Sequence, residues 1–125
     1  MKGEVEVKDL IVLVADGDME AAIRGLLSRA SALGIQSISF DVKRHVQRDA
    51  GCRSGAHDFL RLWLHTFRYA VVLFDHEGSG KEQKLRDAVE REVEKRLEAN
   101  GWRGRCAAVV IAPELESWIW SDSPV

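Results

Sequence analysis

Asp75-His76-Glu77 places two carboxylates two residues apart, at the end of the apolar run Ala70 to Phe74 and just ahead of Gly78-Ser79-Gly80. Two other apolar runs end in acids as well. Leu10 to Ala15 leads into Asp16-Gly17-Asp18-Met19-Glu20, and Ala107 to Ala112 leads into Pro113-Glu114-Leu115-Glu116. Short apolar runs bounded by turn residues read as buried strands, and in open α/β sheets ligands gather beyond the carboxyl ends of the strands. Carboxylates at such ends suit Mg²⁺ or Mn²⁺. Mg²⁺ prefers hard oxygen ligands, keeps several waters and commonly uses only one or two protein carboxylates. The candidate ligands are Asp16, Asp75, Glu77, Glu114 and Glu116, with Glu116 the weakest because a helical position can turn it to solvent. The rival use is structural, since an Asp that closes a strand often caps the next helix.

Other residue types carry less. Gly78-Ser79-Gly80-Lys81 is not a phosphate-binding P-loop: the glycine required five residues before the Gly-Lys pair is Asp75, and the Ser or Thr required after it is Glu82. His45, His57 and His65 share no metal-ligand spacing, and only His76, between two acids, is placed for a role. Cys52 has no identifiable base partner, and neither it nor Cys106 belongs to a CxxC or Cys/His pattern, so no disulfide framework, zinc site or thiol nucleophile is indicated. Trp63, Trp118 and Trp120 fall at helix-core spacing.

The elements that must position the acids follow from periodicity. Leu10 to Ala15 is apolar on both faces, as a central parallel strand should be. Met19, Ala22, Ile23, Leu26, Leu27, Ala30 and Leu33 recur at steps of three and four, one face of a helix that starts near Asp18, with Asp16 or Asp18 as its N-cap, and stops at Gly34. Ile35 to Val42 alternates apolar and polar residues, which predicts a strand near the sheet edge. Lys43 to Gly55 has glycines, basic residues and no clear period, and reads as a loop. Ala56 to Phe67 reads as a short helix burying Phe59, Leu60, Trp63, Leu64 and Phe67. Glu82 to Ala99 predicts a helix with the stripe Leu85, Val89, Val93, Leu97 and supporting pairs Asp87/Arg91 and Glu92/Arg96, ended by Asn100-Gly101. Cys106 to Ala112 is a last strand, and Pro113 suits the first turn of a terminal helix carrying Leu115, Trp118 and Ile119. The alternation β-α-β-α-β-α-β-α implies an α/β fold with a mostly parallel four-stranded sheet flanked by helices.

Bulk properties set limits. The chain has 125 residues, 46% of them hydrophobic, which is enough for one self-sufficient core. A net charge of −2 lacks the basic footprint of a free-standing nucleic-acid binder, which weakens a nucleic-acid partner without excluding it. There is no signal-peptide core and no run of about 20 apolar residues. A cytoplasmic protein without membrane contact is expected. Monomer and homodimer are both left open. The sequence stops a few residues into its terminal helix, which reads as truncation of a single domain spanning 1–125.

Asp16-Gly17-Asp18-Met19-Glu20 after a strand resembles the Glu-Gly-x-x-Glu motif of Toprim domains, and Asp75-His76-Glu77 resembles their Asp-x-Asp motif. Pro113-Glu114-Leu115-Glu116-Ser117-Trp118 is similar to a Pro-Glu-x-Glu-x-Trp segment of Toprim-like proteins. Taken together, these segments are similar to the family that forms the fourth component of the bacterial methylation-associated defence system. The resemblance implies a Toprim-like three-layer sandwich, Mg²⁺-dependent cutting or joining of phosphodiesters, and other defence-system proteins as partners. It implies general acid/base work for Asp16, metal binding for Asp75 and Glu77, and a supporting catalytic role for Glu20. Two positions depart from the family pattern: Asp16 is one methylene shorter than the expected Glu, and Glu77 one longer than the expected Asp. Those departures favour a second expectation, a non-catalytic partner or sensor module. A flavodoxin- or receiver-like domain fits less well, because Ala112 stands where a receiver would carry its lysine.

Overall fold

The computed structural model describes residues 7–34, 38–76 and 84–111. Four parallel strands, β1 (Lys8–Val14), β2 (Phe40–Arg44), β3 (Phe67–Asp75) and β4 (Cys106–Ile111), lie in the order β2-β1-β3-β4. Between them run α1 (Gly17–Ala32), α2 (Arg48–Leu60) and α3 (Arg86–Leu97). Because β1 to β2 steps one way along the sheet and the next two crossovers step the other way, right-handed connections put α1 on one face and α2 and α3 on the opposite face. The result is an α/β three-layer arrangement around an all-parallel sheet.

Packing follows strand alternation. On one face Ile11, Leu13, Ala70, Val72, Phe74, Ala108 and Val110 meet Cys52, Ala56 and Leu60 of α2, Val89, Val93 and Leu97 of α3, and the fully buried Trp102. On the other face Val12, Val14, Val42 and Leu73 pack with Met19 and Ile23 of α1. β1 and β3 are sandwiched between neighbouring strands, while β2, with its alternating pattern, is an edge strand as expected.

Several local expectations are corrected. The stretch from Lys43 to Gly55 is not a loop: Lys43 and Arg44 finish β2, and Arg48 starts α2. The period is hidden because α2 buries small side chains, Gly51, Cys52 and Ala56, before the single large one, Leu60. The helix expected over Ala56 to Phe67 already ends at Leu60. A 3₁₀ turn, Arg61–Trp63, follows it, and Phe67 belongs to β3. Ser39 precedes β2 without joining it, and residues 35–37 lie outside the described residues. Leu85 is no part of the buried stripe of α3: it is 80% exposed, in the extended N-cap position. Glu92 pairs with Arg96 as expected, at 3.7 Å, and also with Lys84, whereas Asp87 pairs with Arg86 at 3.6 Å.

Two polar devices secure the right-hand side of the sheet. β4 is an edge strand whose outward N–H groups would invite another strand. Here the Val110 and Ala108 N–H groups donate to Glu90 Oε2 at 2.8 Å and Glu94 Oε2 at 3.1 Å, both reaching across from α3. At the opposite, amino end, Arg105 stacks on Trp102 at 4.7 Å. Its guanidinium donates to the carbonyls of Phe67, Arg68, Leu64 and Gly101 at 3.0–3.3 Å. One planar fork thus ties α2's exit, β3's start and the turn before β4.

Arg105→Ala is therefore expected to lower the unfolding free energy by about 1.5–3 kcal/mol, the range for hydrogen bonds to a charged group. Arg105→Lys should recover little of it, because an ammonium cannot reproduce the planar fork. Chemical denaturation of the three proteins checks this.

Candidate functional site

The carboxyl ends of β1 and β3 form the centre of the rim. Val14 is paired with Leu73, so Asp16 and Asp75 each lie two residues further along adjacent strands. Asp75 in turn is level with Ile111 of β4. Parallel pairing thus delivers two of the candidate acids to neighbouring positions. Glu77, Glu114 and Glu116 lie outside the described residues.

Asp16 turns the chain from β1 into α1. Its Oδ1 accepts the Met19 N–H at 2.9 Å, so this carboxylate is the N-cap of α1, while Asp18 stays exposed in the first turn. Glu20, one turn on, is held by Arg24 at 2.9 Å and Arg44 at 3.1 Å. The same Arg24 reaches Val42 O at 3.2 Å and Asp41 Oδ1 at 3.5 Å, clamping α1 onto β2. Glu20 therefore sits in an ion-pair cluster at the α1–β2 seam. His76 is buried at 7% exposure, and its N–H donates to Ile111 O at 2.7 Å.

Asp49, in the first turn of α2, escaped the sequence reading because its surroundings looked like a loop. Its Oδ1 accepts the Asp75 N–H at 2.7 Å, docking α2 on the end of β3. Cys52 sits one turn further along α2, fully buried, and its thiol is pushed up to about 12 by burial, with the negative charges of Asp49 and Asp16 adding to the effect. Two acids from different elements thus flank one buried thiol. The signal was the i, i+4 series Cys52, Ala56, Leu60, with Asp49 one turn ahead.

Beside Asp16 opens a cleft of about 360 Å³ lined by Gly17, Arg44, His45, Val46 and Arg48 as well as Asp16. Arg48, the first residue of α2, is the one non-glycine residue with positive φ, 55°, among the described residues. Such a backbone costs on the order of 1 kcal/mol or more, and aims the chain sharply from β2 into α2. His45 is one of the residues that line the cleft. Its Nδ1 accepts the Gln47 N–H at 3.0 Å, which leaves the neutral ring's proton on Nε2, and its ring lies 5.5 Å from Phe59. Burial lowers the His45 pKa, so the ring is neutral at pH 7. Gly51 makes this possible, since a Cβ there would overlap the imidazole and come within 2.7 Å of Gln47 Cβ.

The donor chemistry of this rim is hard oxygen plus guanidinium. Asp16 and Asp75 match the one or two carboxylates that Mg²⁺ commonly takes, with water filling the remaining positions. Among the described residues no group of three or more His, Cys, Asp and Glu converges as a metal cage would need. Zinc of the structural kind, which requires four tight N or S ligands, does not fit. Arg44 and Arg48 offer planar donors of the kind that suits phosphate oxygens. Among the described residues, no helix is long and apolar enough to cross a membrane.

Three outcomes follow from this geometry. Gly51→Ala is expected to displace His45 and cost about 1–3 kcal/mol, the usual range for overpacking, with the loss read by thermal denaturation. Cys52, protonated at neutral pH and buried, should resist iodoacetamide at pH 8 in the folded protein and react only after denaturation, by mass spectrometry. Because the His45 pKa is lower folded than unfolded, its contribution to stability is present above about pH 6.5 and is lost as pH falls below that value. Comparison with protein-family models, with curated proteins and with solved structures finds no match for this chain.

Proposed function

We propose that the rim formed by β1 and β3 is a Mg²⁺- or Mn²⁺-dependent site acting on phosphodiesters, in a Toprim-like component of the bacterial methylation-associated antiphage defence system. The observation that carries the reading is the placement of Asp16 and Asp75 at adjacent parallel strand ends, beside a cleft that also holds Arg44 and Arg48. The resemblance of the three acidic strand-end motifs to Toprim-like segments supplies the reaction class and the biological setting. Asp16 and Asp75 would hold the cation, joined by Glu77, Glu114 and Glu116 if those residues reach the rim. When bound, the cation polarises a phosphoryl oxygen and lowers the pKa of a bound water.

The chain's own groups have separate tasks. Arg44 and Arg48 hold phosphate oxygens as charge-assisted donors. Asp16 moves the proton, within limits set by its cap: one oxygen is committed to the Met19 N–H, leaving the other for exchange. Glu20 acts through Arg44, holding that guanidinium at the cleft's edge, and is a positioning residue. His45, neutral, lines the same cleft.

A second reading has its own observation. Asp16 caps α1, Asp49 caps the end of β3 and Glu20 is ion-paired, so the acids of the rim also have structural employment. A non-catalytic partner module of a multi-protein defence complex would need no more than this.

Metal binding separates the two. At a metal concentration ten times the dissociation constant, linkage adds about 1.4 kcal/mol to the stability of the folded state. The melting temperature of the wild-type protein should then rise by roughly 3–6 °C in Mg²⁺ or Mn²⁺. Asp75→Asn should abolish the rise together with cleavage of DNA or RNA substrates. An identical melting temperature with and without metal, or an identical rise in Asp75→Asn, rejects the metal site and leaves the partner-module reading.

A further inference from the structure

Positive φ favours glycine, because a Cβ crowds the backbone there. Arg48 takes φ 55° as the first residue of α2. Its backbone N–H donates to His45 O at 3.0 Å, which holds the turn and fixes where the side chain leaves the chain. That side chain has no task in the fold. It is exposed, and among the described residues its guanidinium joins no ion pair and no hydrogen bond. Its basic neighbours differ, since Arg24 is matched to Glu20 and Lys43 to Asp41. Arg44 lines the same cleft as Arg48. Glu20 holds its Nε at 3.1 Å, which leaves both Nη groups without a carboxylate among the described residues. Nη1 stands 3.2 Å from where a Cβ on Gly17 would be, so glycine at the entry to α1 lets this guanidinium lie close to the first turn of the helix. Asp16 is the one acid among the described residues that line the cleft, and its Oδ1 is turned to the Met19 N–H. Two cationic forks, one of them unpaired and set on a strained backbone, thus open on one cleft of about 360 Å³.

We propose that this cleft is a receptor for a terminal phosphate monoester, the phosphorylated end of a nucleic-acid strand, held by Arg44 and Arg48 without a metal ion. The inference rests on the reading of the cleft as a phosphate site and deepens it by naming which phosphate. Charge decides between an end and an internal linkage. At pH 7 a monoester carries close to two negative charges and presents three strong acceptor oxygens. An internal diester carries one charge and has two free oxygens. Each guanidinium offers a planar pair of N–H donors that matches two phosphate oxygens at once. On a monoester the second fork therefore meets a second charge; on a diester it meets none. The 5′ and 3′ ends of a strand present this same group, and the binding experiment separates them.

The test uses the full chain in EDTA, so that no metal contributes. A short single-stranded oligonucleotide of one sequence, labelled internally, is prepared with a 5′-phosphate, with a 3′-phosphate and with hydroxyl ends. Binding is read by fluorescence anisotropy at one salt concentration, because phosphate contacts weaken as salt rises. At least one phosphorylated form is expected to bind about tenfold or more tightly than the hydroxyl form, and the form that does so identifies the end. Arg48→Gln should remove the preference at an unchanged melting temperature. Arg48→Gly should remove it too and melt no lower than the wild type, since the backbone strain leaves with the side chain. Equal affinity for all three oligonucleotides overturns the proposal, and so does a preference that survives both Arg48 variants. The metal site fails separately: a protein with the end preference but no rise in melting temperature in Mg²⁺ or Mn²⁺ keeps this inference and loses that site, and a metal response without an end preference does the reverse.

Discussion

Parallel pairing of β1 with β3 is the contact on which the rest of this molecule depends. Ile11, Val12, Leu13 and Val14 are all at most 2% exposed, on both faces of one strand, and that is possible only in the middle of a covered parallel sheet. Once β1 and β3 are neighbours in register, Asp16 and Asp75 each follow two residues after a paired position, at the carboxyl ends of adjoining strands. The topology then requires helices on both faces, and the rim is where the turns into those helices must cluster. The place of these acids at the carboxyl edge is thus a consequence of how two apolar runs are buried.

At that rim, charge is arranged in a division of labour between holding the fold and remaining open to a ligand. Asp16 and Asp49 accept backbone N–H groups at 2.9 and 2.7 Å, and so join α1 and α2 to the sheet. Buried thiol chemistry is suppressed by the same acids, which help to keep Cys52 protonated. The cationic side chains are more exposed: Arg44 pairs with Glu20 yet still lines the cleft, and Arg48 lines it as well. One acid, Asp16, and two guanidinium groups, Arg44 and Arg48, thus line the same cleft.

The close approach of α2 to β2's exit explains why this part of the chain is rich in small residues. His45 is packed over Gly51 and against Phe59, so a side chain at Gly51 would compete with it for space, while a Cβ at Gly55 would meet the ring at 3.4 Å. The positive-φ Arg48 donates its backbone N–H to His45 O at 3.0 Å, within the same turn. At the other edge, glutamates of α3 close the outward side of β4, a use of charge that also discourages association through that edge. The two edges of the sheet are managed by different means, an ion-pair clamp at β2 and a carboxylate cover at β4.

The sequence by itself determined the strands, the alternation with helices and the positions of the acids, because long apolar runs and three- to four-residue periods are local signals. It also identified β2 as the wetter strand and narrowed the cap of α1 to Asp16 or Asp18, between which the Met19 N–H bond to Asp16 decides. Its failures share a cause. The first two turns of α2 were missed because a helix that packs through Gly51, Cys52 and Ala56 has little apolar contrast, and Leu26 and Leu85 looked buried because periodicity reports a face but not whether anything covers it. Only the tertiary structure decided that Asp49 meets the end of β3, that Glu20 is spent on Arg24 and Arg44, and that Glu90 and Glu94 seal an edge. Those contacts join residues 26, 24 and 20 positions apart in the cases of Asp49–Asp75, Glu20–Arg44 and Glu90–Val110. No local pattern encodes such distances along the chain; they follow from which strand ends lie next to which helix once the sheet has closed.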